Sequence, residues 1–130
     1  MTIERICEKF ENGLIIGLKG QISTKSIEWS KHPVFEGVYL KHLIKGAETD
    51  GTLSCHLVKV NPGCVLDTHA HAGKLEIHEI IGGSGSCVIG EGSVEYQPGS
   101  VALIPADTIH EVQAGEDGLF ILAKFCPALL

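Results

Sequence analysis

The sequence predicts an all-β domain, a barrel or sandwich of short strands with a short helix at its N-terminal end. Three observations carry this. Sixteen glycines among 130 residues call for frequent turns. Turn signals recur about every 8–12 residues, the spacing of all-β sandwiches and barrels. The runs between them are short, apolar or alternating, and lack a sustained helical period. The length suits one domain with one core and is short for two, so residues 1–130 are read as a single domain, with a helical segment at 1–13 and the barrel over 14–130.

Ile3, Ile6, Cys7 and Phe10 recur at helical spacing, and Asn12-Gly13 supplies the stop. LIIGL (14–18) is a short apolar run, and Trp29 to Gly37 reads as an ordered extended loop because Pro33 removes a donor and biases His32 away from helix. VYLKHLI (38–44) and LSCHLVKV (53–60) are strands joined through the hairpin signal Asp50-Gly51. Asn61-Pro62-Gly63 turns into VLDTHAH (65–71), followed by LEIHEII (75–81). The cluster GGSGS (82–86) reads as a turn into CVIG (87–90), and Glu91-Gly92 as a tight turn into SVEY (93–96). Pro98-Gly99 turns into SVALIP (100–105), and IHEVQA (109–114) and GLFILAKF (118–125) close the chain. Ile80, Val88, Val101 and Leu103 are core candidates.

The net charge of −6 and the scattered lysines and arginines argue against nucleic acid, which needs a concentrated basic surface. No apolar stretch approaches the roughly 20 residues that span a bilayer, and the N-terminus lacks the apolar centre of a signal peptide. Cys7, Cys55, Cys64, Cys87 and Cys126 are dispersed and odd in number, a poor disulfide framework. The reading is a cytoplasmic protein with reduced thiols that act as small apolar filler.

His69 and His71 are one residue apart, and on a strand positions i and i+2 share a face. Glu76 follows after a stretch that gives the chain room to reverse. Neutral imidazoles with a carboxylate suit a divalent ion such as zinc, iron, nickel, manganese or copper. His110 offers a fourth ligand from a distant strand. Alone, a His-x-His pair is a weak signal, often a solvated strand.

The frame around the pair is more specific. Residues 63–85, GCVLDTHAHAGKLEIHEIIGGSG, resemble the first motif of the cupin family, through Gly63, His69, His71, Glu76 and Gly83. Residues 99–110, GSVALIPADTIH, resemble the second, through Gly99, Pro105 and His110. Asp107 stands where that family often has Gly, and Ala114 where it often has Asn. The resemblance implies a jelly-roll barrel (a double-stranded β-helix), one divalent metal per chain on His69, His71, Glu76 and His110, and a homodimer. Leu129 and Leu130 would be costly if exposed, and packing against a second chain would cover them.

His78, two residues beyond Glu76, shares its inward face and has three readings: an alternative ligand, a catalytic acid or base, or a hydrogen-bonded core histidine. His42 alternates with inward residues, and the facing of His56 is open. Trp29, Pro33 and Phe35 plug one end of the barrel or cover an edge. The fold leaves the chemistry open. The first expectation is a small metal-dependent enzyme acting on a small organic molecule, of oxygenase, isomerase or lyase type. The alternative is a non-catalytic cupin module that binds or senses a small molecule or metal.

Overall fold

A computed structural model describes residues 5–130; Ile3 and the rest of the proposed helix before Arg5 lie outside the described residues. Helix α1 runs Ile6–Glu11. It stops where the sequence signals a stop, with both the backbone and the side-chain amide of Asn12 donating to the Glu8 carbonyl. Strands β1 (Leu14–Gly17) and β2 (Gly20–Ser23) form a separate hairpin. The sequence reading had no strand at β2, whose GQIS carries little apolar pattern. A short β3 (Ser30–Lys31) then pairs with β4 (Val38–Ile44) inside the expected loop.

β5 (Ser54–Val60) returns antiparallel to β4. The connection is not a two-residue hairpin: a 3-10 turn over Gly46–Glu48 precedes Asp50 and Gly51, which both take positive φ, at 54° and 75°. β6 (Val65–His69) follows the Asn61–Cys64 turn, in which Gly63 sits at φ 73°. β8 is Gly92–Tyr96 and β9 is Val101–Ile104. The tight turn before β8 centres on Gly90-Glu91, one residue earlier than Glu91-Gly92.

The largest departure from the sequence reading concerns β7 (Leu75–Ile89) and β10 (His110–Cys126). The sequence pattern divides each in two and reads GGSGS as a turn. Each is one long strand that bends in the middle. The first half of β7 pairs with the second half of β10 and with β9, and the second half of β7 pairs with the first half of β10 and with β8. β10 also pairs with β5 through its second half and with β6 through its first. Two layers result, β3-β4-β5-β10-β7-β9 and β6-β10-β7-β8, with β7 and β10 belonging to both. This is the antiparallel jelly roll.

The bend is where the glycines act. The β7–β10 register shifts between Ala114 and Leu119, opposite Gly85 and Gly83. Gly83 has φ 75°, and a Cβ on it would lie 2.1 Å from the Gly118 carbonyl oxygen. Only glycine allows the strands to cross so closely.

Alternation sorts the side chains. Val58 and Val60 of β5, Ile80 of β7 and Ile121 and Phe125 of β10 face inward with Cys87, Tyr96 and Val112 of the other layer. Cys55 and Leu57, with Ile81 and Leu122, face outward and are covered by Cys7 of α1 and by Trp29. The helix is thus a cover for one sheet face, and burying each large apolar side chain there contributes about 1.5–3 kcal/mol. Ile80 is in the core as expected. Val88, Val101 and Leu103 are exposed, a correction: on these strands the opposite parity, Cys87, Ala102 and Ile104, faces inward. Leu129 also departs from expectation, since it packs against the inner core of its own barrel, while Leu130 stays exposed. Ala128 N–H donates to the Gly51 carbonyl, and Leu129 N–H donates to Ser54 Oγ. All five cysteines are unpaired. No helix among the described residues is long and apolar enough to cross a membrane.

Candidate metal centre

The end of β6, the turn that follows it and the start of β10 bring His69, His71 and His110 together, with one nitrogen of each within 4.8 Å of the others. His69 is the last residue of β6 and pairs across the ladder with His110, the first of β10. His71 lies beyond the end of β6, so simple strand alternation does not place it. The reversal at Ala72-Gly73 does, with the His71 carbonyl accepting from Lys74 N–H and Asp107 N–H, each at 3.2 Å. Glu76, second residue of β7, borders the group: its Oε1 is 3.8 Å from His71 Nε2 and 3.2 Å from His110 Nε2.

Hydrogen bonds at the far side of two rings fix which nitrogen is offered. His69 Nδ1–H donates to the Asp67 carbonyl at 2.6 Å, and His110 Nδ1–H donates to the Thr108 carbonyl at 2.9 Å. In its neutral form each ring carries its proton on Nδ1 and turns the Nε2 lone pair to the centre, as metal-binding histidines do. Burial lowers the pKa of His69 and His71, keeping both neutral and able to bind. Burial also opposes a charge on His110, but the adjacent Glu76 carboxylate outweighs it and raises that pKa.

Glu76 is 5% exposed. Burial alone would raise its carboxyl, yet His110 and His78 overcome that and hold it well below the ordinary carboxylate range. His78 approaches Oε2 through Nε2 at 2.7 Å, and its Nδ1 meets the Tyr96 hydroxyl at 2.8 Å. Because an ionised carboxylate only accepts, Nε2–H is the donor and Tyr96 O–H donates to Nδ1. Both ring nitrogens of His78 are thereby engaged, which is the geometry of its third reading, a hydrogen-bonded core histidine. Tyr96 was absent from the sequence reading; its alternation on the short, mostly exposed β8 is too weak a signal.

Two buried atoms at the centre have no hydrogen-bond partner among the described residues, Glu76 Oε1 and His110 Nε2. They face each other at 3.2 Å without hydrogen-bond alignment. Unsatisfied buried polar atoms are expensive, and a cation between them and the other two imidazoles would satisfy both. The residues present therefore fit a divalent metal.

A family model described as a cupin domain matches residues 56–122, more than half of the chain and all of the residues just described. The chain belongs to the cupin family. This cupin is similar in fold to a predicted oxalate decarboxylase from Thermotoga maritima, at 22% identity and a TM-score of 0.73 over 79% of this chain and 95% of that one. It is likewise similar to KdgF from Halomonas sp., at 21% identity and a TM-score of 0.70 over 79% and 88%. An RmlC-like cupin from Shewanella frigidimarina superimposes at 15% identity and a TM-score of 0.70, over 81% and 87%. No curated protein sequence matches the chain.

The cupin cavity beside the histidines is small, about 70 Å³, and is lined by His32, His69, His71, Glu76 and His78 together with aliphatic side chains and Phe125. A larger groove of about 420 Å³ lies on the outer face between α1, β1 and the covered sheet, remote from the histidines. Trp29 also belongs to the outer face, where the Lys41 and Lys59 amines approach its ring at 5.2 and 4.6 Å. Phe35 is the member of the expected plug that reaches the site, 5.7 Å from the His69 ring. Two further histidines meet in the interior: His42 Nδ1 and His56 Nδ1 are 2.8 Å apart, and His56 Nε2 meets Ser54 Oγ at 2.7 Å. The alternation of His42 pointed inward; the pairing depends on register and was not foreseen.

Proposed function

We propose that this cupin is a small metal-dependent enzyme in which His69, His71, His110 and Glu76 hold one divalent ion and a small organic molecule is transformed beside it. The supporting observation is the pair of orphaned atoms, Glu76 Oε1 and His110 Nε2, buried at the centre of a cluster that already has its proton positions arranged for binding. When bound, the ion would supply Lewis acidity or a site for oxygen chemistry. The chain's own residues do the rest. His78 holds Oε2 so that Oε1 is the oxygen offered, Tyr96 fixes the His78 ring, and the aliphatic wall excludes water.

Elemental analysis of protein purified from its native host tests this reading. One equivalent of a transition metal per chain, lost in His110→Ala and Glu76→Ala, is the expected result; absence of metal from the native protein rejects it. The engagement of both His78 nitrogens favours a second reading, a binding or sensing module, since it removes the nearest free acid or base. A small molecule that stabilises the fold and is recovered unchanged would support that reading over catalysis. Assembly as a homodimer, proposed with the resemblance, is supported by the exposed Val101 and Leu103 on the edge strand β9. Sedimentation equilibrium checks it.

A further inference from the structure

Among the described residues, His32 is the one polar member of the cavity wall that neither the cluster of ligands nor its buttress uses. It lies on the loop after β3, its backbone N–H donating to the Val38 carbonyl at 2.8 Å. Its side chain is held twice more, because Nδ1 accepts from Val34 N–H and from Phe35 N–H, each at 3.1 Å. The ring stacks on Phe35 with centroids 4.6 Å apart. A nitrogen that accepts two N–H groups carries no proton, so the single proton of the neutral ring sits on Nε2. Burial lowers the pKa of His32 and keeps the ring neutral. The loop therefore presents a fixed hydrogen-bond donor, unable to switch tautomer without breaking two backbone contacts.

The same cavity contains His69, His71 and Glu76. The remainder of its wall is largely apolar, including Val38, Leu40, Val58, Leu66 and Leu129. His78 also lines it, with both nitrogens engaged. A ligand in this space thus meets polar partners at the histidine cluster, one neutral donor at His32 and hydrocarbon elsewhere. At about 70 Å³ the space holds roughly five water-sized groups. Charge narrows the class further. A divalent ion and the Glu76 carboxylate leave one net positive charge, which a monoanion cancels; a dianion would leave an uncompensated negative charge against an apolar wall.

We propose that His32 is the distal ligand-binding residue of this site, donating through Nε2–H to a carboxylate oxygen of a short 2-oxo or 2-hydroxy monocarboxylate whose small alkyl end packs on Val38, Leu40 and Leu66. The inference rests on the metal reading given above. Such a ligand offers two adjacent oxygens to the ion and retains one for His32.

Co(II) and pyruvate serve as probes. Metal-free wild type, His32→Asn and His32→Phe are titrated with Co(II), followed by its visible absorption, and then with pyruvate. Asparagine can still accept from the loop N–H groups as an Asx turn but is too short to reach across. All three chains are expected to bind one Co(II) with affinities within about twofold, and pyruvate to bind both variants about tenfold more weakly than wild type, the effect of one lost charge-assisted hydrogen bond. Equal pyruvate affinity in wild type and His32→Asn, or no response to pyruvate in wild type, overturns the assignment and leaves the metal site standing. Loss of Co(II) binding in the variants gives His32 a structural role and also overturns it. A wild-type chain that does not take up Co(II) removes both readings.

Discussion

At the Glu76 carboxylate, burial is opposed by the adjacent His110 and His78 imidazoles, and the imidazoles prevail. The chain Tyr96 to His78 to Glu76 is part of the reason, with contacts of 2.8 and 2.7 Å among buried groups. Tyr96→Phe removes one hydroxyl and leaves His78 Nδ1 without a donor. The expected cost is about 1–3 kcal/mol of stability and about tenfold in metal affinity, since supporting contacts of ligands carry effects of that size; competition with a chromophoric chelator measures the second. The pairing of buried His56 with half-buried His42 has a different consequence. Burial, with His42 adding to it, pushes the pKa of His56 down to about 4, from an ordinary 6.5. Between these values the unfolded chain binds more protons, so the stability contributed by neutral His56 is complete above about pH 6.5 and is lost as pH falls toward 4. The whole effect is on the order of 3 kcal/mol. His42, His69 and His71 are also lowered and act in the same sense, whereas His110 is raised and acts against them. Thermal melts of metal-free protein between pH 7.5 and 5 should show falling stability, with a shallower slope in His56→Gln. Glu76 enters only below its ordinary 4.5, outside that range.

Among the elements, the bend shared by β7 and β10 and the loop before β10 determine whether the ligands meet. Gly83→Ala would place its Cβ 2.1 Å from the Gly118 oxygen at φ 75°, a clash of backbone that no rotamer relieves. A loss of at least about 3 kcal/mol in urea unfolding is expected. Asp107 works differently. It adopts φ 63°, where glycine would be free of strain, yet its Oδ1 accepts from Gly73 N–H at 3.0 Å while its own N–H donates to the His71 carbonyl. It thereby ties the second-motif loop to the turn that carries His71. Asp107→Gly relieves about 1 kcal/mol of backbone strain while releasing this clamp. Stability should change little and metal affinity should fall several-fold, with Asp107→Asn close to wild type in the same chelator competition. The sequence showed Asp107 as a departure from the family pattern. Its role required knowing that the two motifs lie side by side.

Over the whole molecule, what was legible in the sequence was local. Gly63, His69, Glu76, Gly99 and His110 stand at spacings that short strands and turns translate into position, and β4 and β5 follow from their β-rich, alternating runs. The long strands were not legible, because GGSGS has the composition of a turn and becomes strand only when β10 crosses it at Gly118. Nor were the His42–His56 and His78–Tyr96 pairs, which depend on register between strands distant in sequence. The metal cluster joins these same distant pieces, β6, β7 and β10, so occupancy should be felt by the entire fold. A ligand that binds the folded chain alone stabilises it by RT ln(1 + [L]/Kd), about 2.7 kcal/mol at a hundredfold excess over Kd. For a domain of this size that corresponds to a rise of several degrees in Tm. Addition of Zn(II) or Mn(II) to metal-free protein should raise Tm by that amount, and EDTA should reverse it. Glu76→Gln keeps the shape of the side chain and removes its charge; its own Tm should change by less than the metal-induced rise, while that rise disappears. A Tm response to metal in Glu76→Gln equal to that of wild type would remove the carboxylate from the ligand set and leave the three imidazoles to hold the ion.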